Sequence, residues 1–323
     1  MICGLILAAG VSSRMGTFKP LLPIGDTVFI KRLIGQMREA GARRVVVVTG
    51  YRHEELEEAL REETAAGCVV TAFNSRFYDT QMLDSVKLGI SQVMELSGEE
   101  WEPFDRILLS PSDVVMSPKW IFDTVTEKEA DFIRPMYHGE PGHPVLIRDT
   151  LFETILRYDG ERGLRGAVEN SGREILEINA EEPCILLDAD TREDYRRAVH
   201  EYDLRSGADG RLHPEIEMKL ATDQIFCGEG FMNLLELVEA TGSLQNAARA
   251  MKVSYTKVWK MIRYVEENTS ERLIERCAGG EDGGFSCLTD KGRDLLRRWK
   301  AMRKEFDAMA LSVFQKYFDD FRL

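Results

Sequence analysis

Between residues 1 and about 202, short apolar runs alternate with stretches of helical periodicity, and that alternation leaves few folds open. Ile2–Leu7, Arg44–Thr49, Val69–Phe73 and Arg106–Ser110 are rich in Val, Ile and Leu, as strands buried on both faces are. Val28–Ala40, Glu54–Ala65 and Leu83–Leu96 space their apolar residues three and four apart, which predicts helices. Strand following helix following strand builds βαβ units, hence an α/β fold with a mostly parallel, Rossmann-like sheet covered on both faces. Ligands of such sheets lie beyond the carboxyl ends of the strands. The loops beginning near Ala8, Asn74 and Pro111 are therefore where chemistry is expected.

A chain of 323 residues exceeds one typical domain. The run RSGADGRLHP at 205–214 gathers Gly, Asp and Pro and reads as a linker. The expected division is one domain over 1–204 and a second, mainly helical one over 215–323. No apolar run approaches the roughly 20 residues that cross a bilayer, and Ile2–Ala9 is too short and too poorly flanked for a signal peptide. Six cysteines without CxxC spacing predict free thiols, no zinc site and a cytoplasmic protein. The net charge is −13, yet residues 241–304 hold fourteen Lys plus Arg against eight Asp plus Glu. An acidic body with one basic segment confines any contact with nucleic acid to that segment.

The first strand runs into LAAGVSSRMGTFKPLLP, Leu7–Pro23. Small residues at Ala8, Ala9 and Gly10 allow close backbone approach, and Gly10 permits a turn at positive φ. Ser12, Ser13, Arg14 and Lys19 add hydroxyl and cationic donors, a set suited to a polyphosphate. No Lys-Ser/Thr pair follows Gly16 and no GxGxxG is present, so this is neither a P-loop nor a dinucleotide fingerprint.

The string L-A-A-G-x-S-x-R-M-G-x-x-K-x-L-L-P resembles the signature of MobA-like nucleotidyltransferases, and within them the molybdenum cofactor cytidylyltransferases. The resemblance implies that Leu7, Ala8, Ala9 and Gly10 cradle the base and ribose, with Ser12 and Ser13 beside them, while Arg14 and Lys19 hold phosphates and act in catalysis. Ala8-Ala9 favours CTP over GTP. Asp113, in Ser110-Pro111-Ser112-Asp113, sits where the family has a Mg2+-binding Asp; capping of the following turn is the alternative. Ser112, Val115 and Met116 depart from the usual Gly and Pro there. In Asp188-Ala189-Asp190-Thr191 the second metal ligand is expected at Asp190, with Asp188, or a purely capping role for Asp190, as alternatives.

His143, in a Gly-His-Pro segment, and Arg162 and Arg165, in G-x-x-G-x-R, match segments that line the acceptor side, for a molybdopterin-type acceptor. Ordinary structural roles remain open for all three. Met82 and Ser85 match nucleotide contacts, but Gln81 and Asp84 replace the usual Gly and Ser. A carboxylate at 84 would oppose a triphosphate unless metal or arginine offsets it.

In the C-terminal half, Glu229–Ala240, Leu244–Met251 and Ser254–Glu267 predict three helices, the last two joined at Lys252-Val253. Val258, Ile262 and Val265 recur at core spacing, leaving Ser254, Tyr255, Thr256, Lys257, Lys260 and Arg263 for a face that could enter double-stranded DNA. Glu217–Ala221 reads as a short strand, and Leu273–Leu288, glycine-rich at 279–284, as a hairpin wing. The helix from Thr289 is long enough to pair two protomers. GSLQNAARAMKVSYTKVWKMIRYVEE resembles the winged helix-turn-helix domain of ModE-type molybdate-responsive regulators. The expectation is therefore a CMP-transferring enzyme with a DNA-binding or dimerising module. Alternatives are a regulator that uses the transferase fold as a sensor, or a transferase for a sugar or alcohol phosphate.

Overall fold

The computed structural model describes residues 1–11, 18–98, 102–189, 191–206, 214, 216–277 and 285–318. Ser12, Ser13, Arg14, Asp190, most of the expected linker and the glycine-rich wing tip lie outside them. Two compact units emerge, one from Met1–Gly10 with Phe18–Tyr202, the other containing Asp203–Leu323.

The first unit runs in order through β1 (Ile2–Ala8), the hairpin β2 (Pro23–Ile24) and β3 (Thr27–Val28), α1 (Phe29–Glu39), β4 (Ala42–Thr49), α2 (His53–Ala59), α3 (Arg61–Ala65), β5 (Val69–Phe73), α4 (Met82–Ser97) and β6 (Arg106–Pro111). It continues with α5 (Lys119–Glu127), β7 (Phe132–Tyr137), β8 (Glu140–Pro141), β9 (Val145–Arg148), α6 (Phe152–Arg157), α7 (Gly163–Glu169), β10 (Ile175–Asn179) and α8 (Arg192–Ser206). Eight strands form one sheet in the order β10-β7-β9-β6-β1-β4-β5, with β8 on β7. The β6-β1-β4-β5 half is parallel, as the apolar runs predict. The other half is mixed, because β9 runs antiparallel to both β6 and β7. The helix expected over Glu54–Ala65 is broken at Leu60, a fully buried residue between α2 and α3.

Packing follows the sequence periodicity. Every residue of β1 is buried, since layers cover both faces. On one face Val86, Ile90 and Val93 of α4 join Leu5, Leu7, Val46 and Val48 in a single apolar cluster. Gly89 lets that helix close in, because a Cβ there would sit 2.3 Å from a Leu5 methyl. On the other face α1 buries Phe29, Ile30, Leu33, Ile34 and Met37, spaced three and four apart.

The second unit holds the hairpin β11 (Lys219–Ala221) and β12 (Ile225–Gly228), then α9 (Glu229–Thr241), α10 (Leu244–Ala250) and α11 (Tyr255–Thr269). The hairpin β13 (Ile274–Cys277) and β14 (Phe285–Leu288) and the 29-residue α12 (Asp290–Phe318) follow. Ser243 and Ser254 cap α10 and α11, accepting the Asn246 and Lys257 amides at 3.3 and 3.2 Å. Val258, Ile262 and Val265 are buried, as are Ala247 and Ala248, so α10 and α11 close on each other as their spacing predicts. Gly292 admits α12 to the start of the wing, where a Cβ would lie 2.2 Å from the Leu273 carbonyl oxygen. Among the described residues no helix is long and apolar enough to cross a membrane, and Cys3, Cys68, Cys184, Cys227 and Cys287 are thiols outside any disulfide.

Candidate active site

The chain moves outward from β1 to β4 and β5, then returns to place β6 on the other side of β1. That reversal opens a crevice between the carboxyl ends of β1 and β6. The loop after β1 brings Lys19, and the loop after β6 brings Asp113. The Lys19 Nζ donates to Asp113 Oδ2 at 2.8 Å, although 94 residues separate them. Lys19 is only 7% exposed, on a short 3-10 turn, Lys19–Leu21. The sequence expectation for these two side chains therefore meets in one place; Arg14 and Asp190 lie outside the described residues. Asp188 and Ala189 do not, and the Ala189 amide donates to the Asp113 carbonyl at 3.3 Å, so the second acidic segment runs beside the first.

The Ala8-Ala9-Gly10 floor is held by β4. The Tyr51 amide donates to the Ala9 carbonyl at 3.2 Å. Gly50 makes this approach possible, because a Cβ there would be 2.6 Å from the Ala9 oxygen and 2.7 Å from Phe77 Cβ. Sequence reasoning missed Gly50; a glycine at the end of a predicted strand was the available signal. Gly10 does not adopt the left-handed backbone expected of it. A Cβ there would meet nothing within 4 Å among the described residues, so their packing does not itself demand glycine at this position. Phe18 packs edge-on to Tyr51 at 6.0 Å, with the Arg52 guanidinium 5.5 Å above its ring.

Asp84 has a structural partner at the start of α4. Its Oδ2 accepts the Gln81 amide at 2.8 Å, capping α4. Ser85, expected at the nucleotide, is buried and accepts a hydrogen bond from Asn74 Nδ2 at 3.3 Å, while Met82 is 61% exposed at the helix start. Arg162 and Arg165 converge on Glu169, at 2.8 and 2.7 Å. The hydrogen bond from Arg165, then the charge of Arg162, hold that carboxyl below its ordinary range.

The His143 ring is pushed down to a pKa of about 4, chiefly by burial; the Asp113 charge and a hydrogen bond with the Leu109 backbone act in the opposite direction. The imidazole is thus neutral near pH 7, and its Nδ1 is buried without a partner among the described residues. Asp194, near the second acidic segment, caps α8 by accepting from the Thr191 amide and hydroxyl at 3.0 and 2.6 Å. In the second unit, Ser254, Tyr255, Thr256, Lys257, Lys260 and Arg263 are all exposed along α11.

Comparison with known proteins matches residues 4–175, more than half the chain, to the MobA-like NTP transferase domain. Residues 231–293 match the bacterial regulatory helix-turn-helix protein, lysR family. Molybdenum cofactor cytidylyltransferase of Escherichia coli K12 is 28% identical over 200 residues, covering 61% of this chain and 95% of that protein. The molybdenum transport protein ModE of Azotobacter vinelandii is 35% identical over 77 residues, 24% of this chain and 28% of its own length. Only the N-terminal portion of this chain therefore spans a whole relative; the C-terminal match covers under a third of that ModE. A nucleotidyl transferase from Methanothermobacter thermautotroptrophicus shares the fold, with a TM-score of 0.52, 23% identity, and coverage of 64% of this chain and 99% of that one. With the strand order, the crevice and the family match in agreement, the chain is a nucleotidyltransferase belonging to the MobA-like NTP transferase family, joined to a ModE-like helix-turn-helix domain.

Proposed function

We propose that the first unit transfers CMP from CTP to the terminal phosphate of a molybdopterin-type acceptor, releasing pyrophosphate. The observation that carries this is the buried ammonium of Lys19 against the carboxylate of Asp113, at 2.8 Å across the sheet's switch point. An acceptor phosphate oxygen attacks the α-phosphorus, and the bond to the pyrophosphate oxygen breaks. Lys19, with Arg14, neutralises charge on the phosphoryl oxygens, an electrostatic contribution that grows where water is excluded. Leu7, Ala8, Ala9 and Gly10 supply a close backbone floor, with Ser12, Ser13, Met82 and Ser85 around it. His143, Arg162 and Arg165 serve the acceptor side; a neutral imidazole there offers a hydrogen-bond acceptor without charge.

Mg2+ fits the residues present. Among the described residues no group of three or more His, Cys, Asp or Glu forms a metal cage. A single strand-end carboxylate suits an ion that takes its remaining ligands from phosphates and water. Asp113 would hold it, with Asp190 as second ligand and Asp188 as alternative. The ion, when bound, supplies charge neutralisation on the phosphate oxygens.

The division proposed is 1–204 for the transferase, 205–214 for the linker and 215–323 for the winged module, in a cytoplasmic protein. Ser254, Tyr255, Thr256, Lys257, Lys260 and Arg263 meet double-stranded DNA. A second copy pairs along α12, where exposed Phe306, Met309, Val313 and Tyr317 recur three and four apart. The test is pyrophosphate release from each of the four ribonucleoside triphosphates with purified molybdopterin-type acceptor. CTP is expected to be preferred and Asp113→Asn to abolish release; full turnover by that variant would remove the catalytic assignment.

A further inference from the structure

The loop that carries Asp113 into the crevice has no helix or strand of its own over 114–117. Yet Val114, Val115, Met116 and Ser117 are only 5, 0, 1 and 1% exposed. A buried irregular segment has to find hydrogen-bond donors for its carbonyls outside itself. Three carbonyls at alternate residues find them. The Ala189 amide donates to Asp113 at 3.3 Å, Arg32 Nε to Val115 at 3.1 Å, and Gln36 Nε2 to Ser117 at 2.9 Å.

Arg32 and Gln36 lie four residues apart on α1, so one stands above the other on a single helix face. The Arg32 guanidinium carbon also lies over the Tyr202 ring, 4.7 Å from its centroid, which gives the side chain a second point of hold. Gln36 Oε1 is buried without a partner among the described residues, so the side-chain amide serves the loop as a donor. The same helix begins where the Phe29 amide donates to the Leu22 carbonyl at 2.9 Å, directly after the turn that carries Lys19. One helix thus ties both loops of the crevice. The Ser117 hydroxyl extends the tie to the acceptor side, donating to the His143 carbonyl at 2.7 Å.

We propose that Arg32 and Gln36 are positioning residues for Asp113: by holding the carbonyls of Val115 and Ser117 they set where its carboxylate stands relative to Lys19 and to the metal. This rests on the reading of Asp113 as a metal ligand. Neither side chain needs to touch substrate, and each acts through the backbone of the loop.

The test uses the full chain with Mn2+ as a paramagnetic stand-in, counting bound ion by electron paramagnetic resonance in the presence of CTP. CTP affinity without metal is measured separately by calorimetry. Arg32→Met and Gln36→Met, each alone and paired, are expected to weaken Mn2+ binding about tenfold or more, the usual cost of removing an outer-shell partner. CTP affinity without metal should stay within about twofold of the parent, and Arg32→Lys should recover part of the loss. A general loss of folding would lower both affinities together, so the split is the diagnostic. Parent-like Mn2+ binding in both folded single variants, while Asp113→Asn loses it, would overturn the proposal. If Asp113→Asn itself binds Mn2+ normally, the ligand assignment beneath it fails instead.

Discussion

Among individual side chains, Asp84 has a role in the fold, since its carboxylate accepts the Gln81 amide at the start of α4. Asp84→Ala is therefore expected to cost on the order of 1 kcal/mol of stability, read from the urea midpoint, and to leave the KM for CTP unchanged. A marked fall in that KM would return Asp84 to the nucleotide. His143 gives a pH prediction with a definite sign. Its folded pKa of about 4 lies below the ordinary value of 6.5, so the unfolded chain binds the proton more readily. The folded state keeps the full benefit of the neutral ring above pH 6.5 and loses it as pH falls towards 4. Urea midpoints measured from pH 7 to 4.5 should fall more steeply for the parent than for His143→Gln.

Among strands and helices, the parallel half of the sheet was legible because β1, β4, β5 and β6 are continuous apolar runs. β7, β8, β9 and β10 were not. β8 and β9 have only two and four residues, and β7 mixes Arg134 and Pro135 among its apolar residues, so neither alternation nor a clean run marks it. The site was legible to the same extent. Lys19 and Asp113 stand in recognisable strings, whereas Gly50, Arg32 and Gln36 work through the backbone of other segments and look ordinary in sequence. Gly50 makes this testable, because a Cβ there would lie 2.6 Å from the Ala9 carbonyl oxygen that the Tyr51 amide holds. In Gly50→Val the added carbons must displace the Ala9 carbonyl or Phe77. The expected result is a loss of about 1–3 kcal/mol of stability from overpacking. A fall in kcat/KM for CTP on the order of 100-fold should accompany it, because a small misplacement of a positioning loop is enough to spoil the reactive geometry. Unchanged kinetics would show that the floor of the crevice is not where the nucleotide lies.

Along the full chain, two charge regimes coexist. The net charge is −13, while residues 241–304 carry six more basic than acidic side chains. An acidic transferase gains nothing from a phosphate backbone, so any nucleic-acid affinity has to come from the basic segment and must depend on salt. Within that segment the cations are not equivalent. Arg293, Arg297, Arg298, Lys300 and Arg303 on α12 are paired with carboxylates of their own unit. Lys257, Lys260 and Arg263 instead recur three residues apart on the exposed side of α11, the helix whose other side buries Val258, Ile262 and Val265. Replacing all three with Ala should make the logarithmic dependence of duplex affinity on salt shallower by about 3, roughly one for each phosphate no longer neutralised. Fluorescence anisotropy between about 50 and 200 mM salt, on a duplex taken from upstream of the chain's own gene, reads that slope. CTP turnover in the triple variant should match the parent, since none of the three belongs to the transferase unit. A slope that does not change would mean that α11 is not the element that meets DNA, and would leave the module to its pairing helix alone.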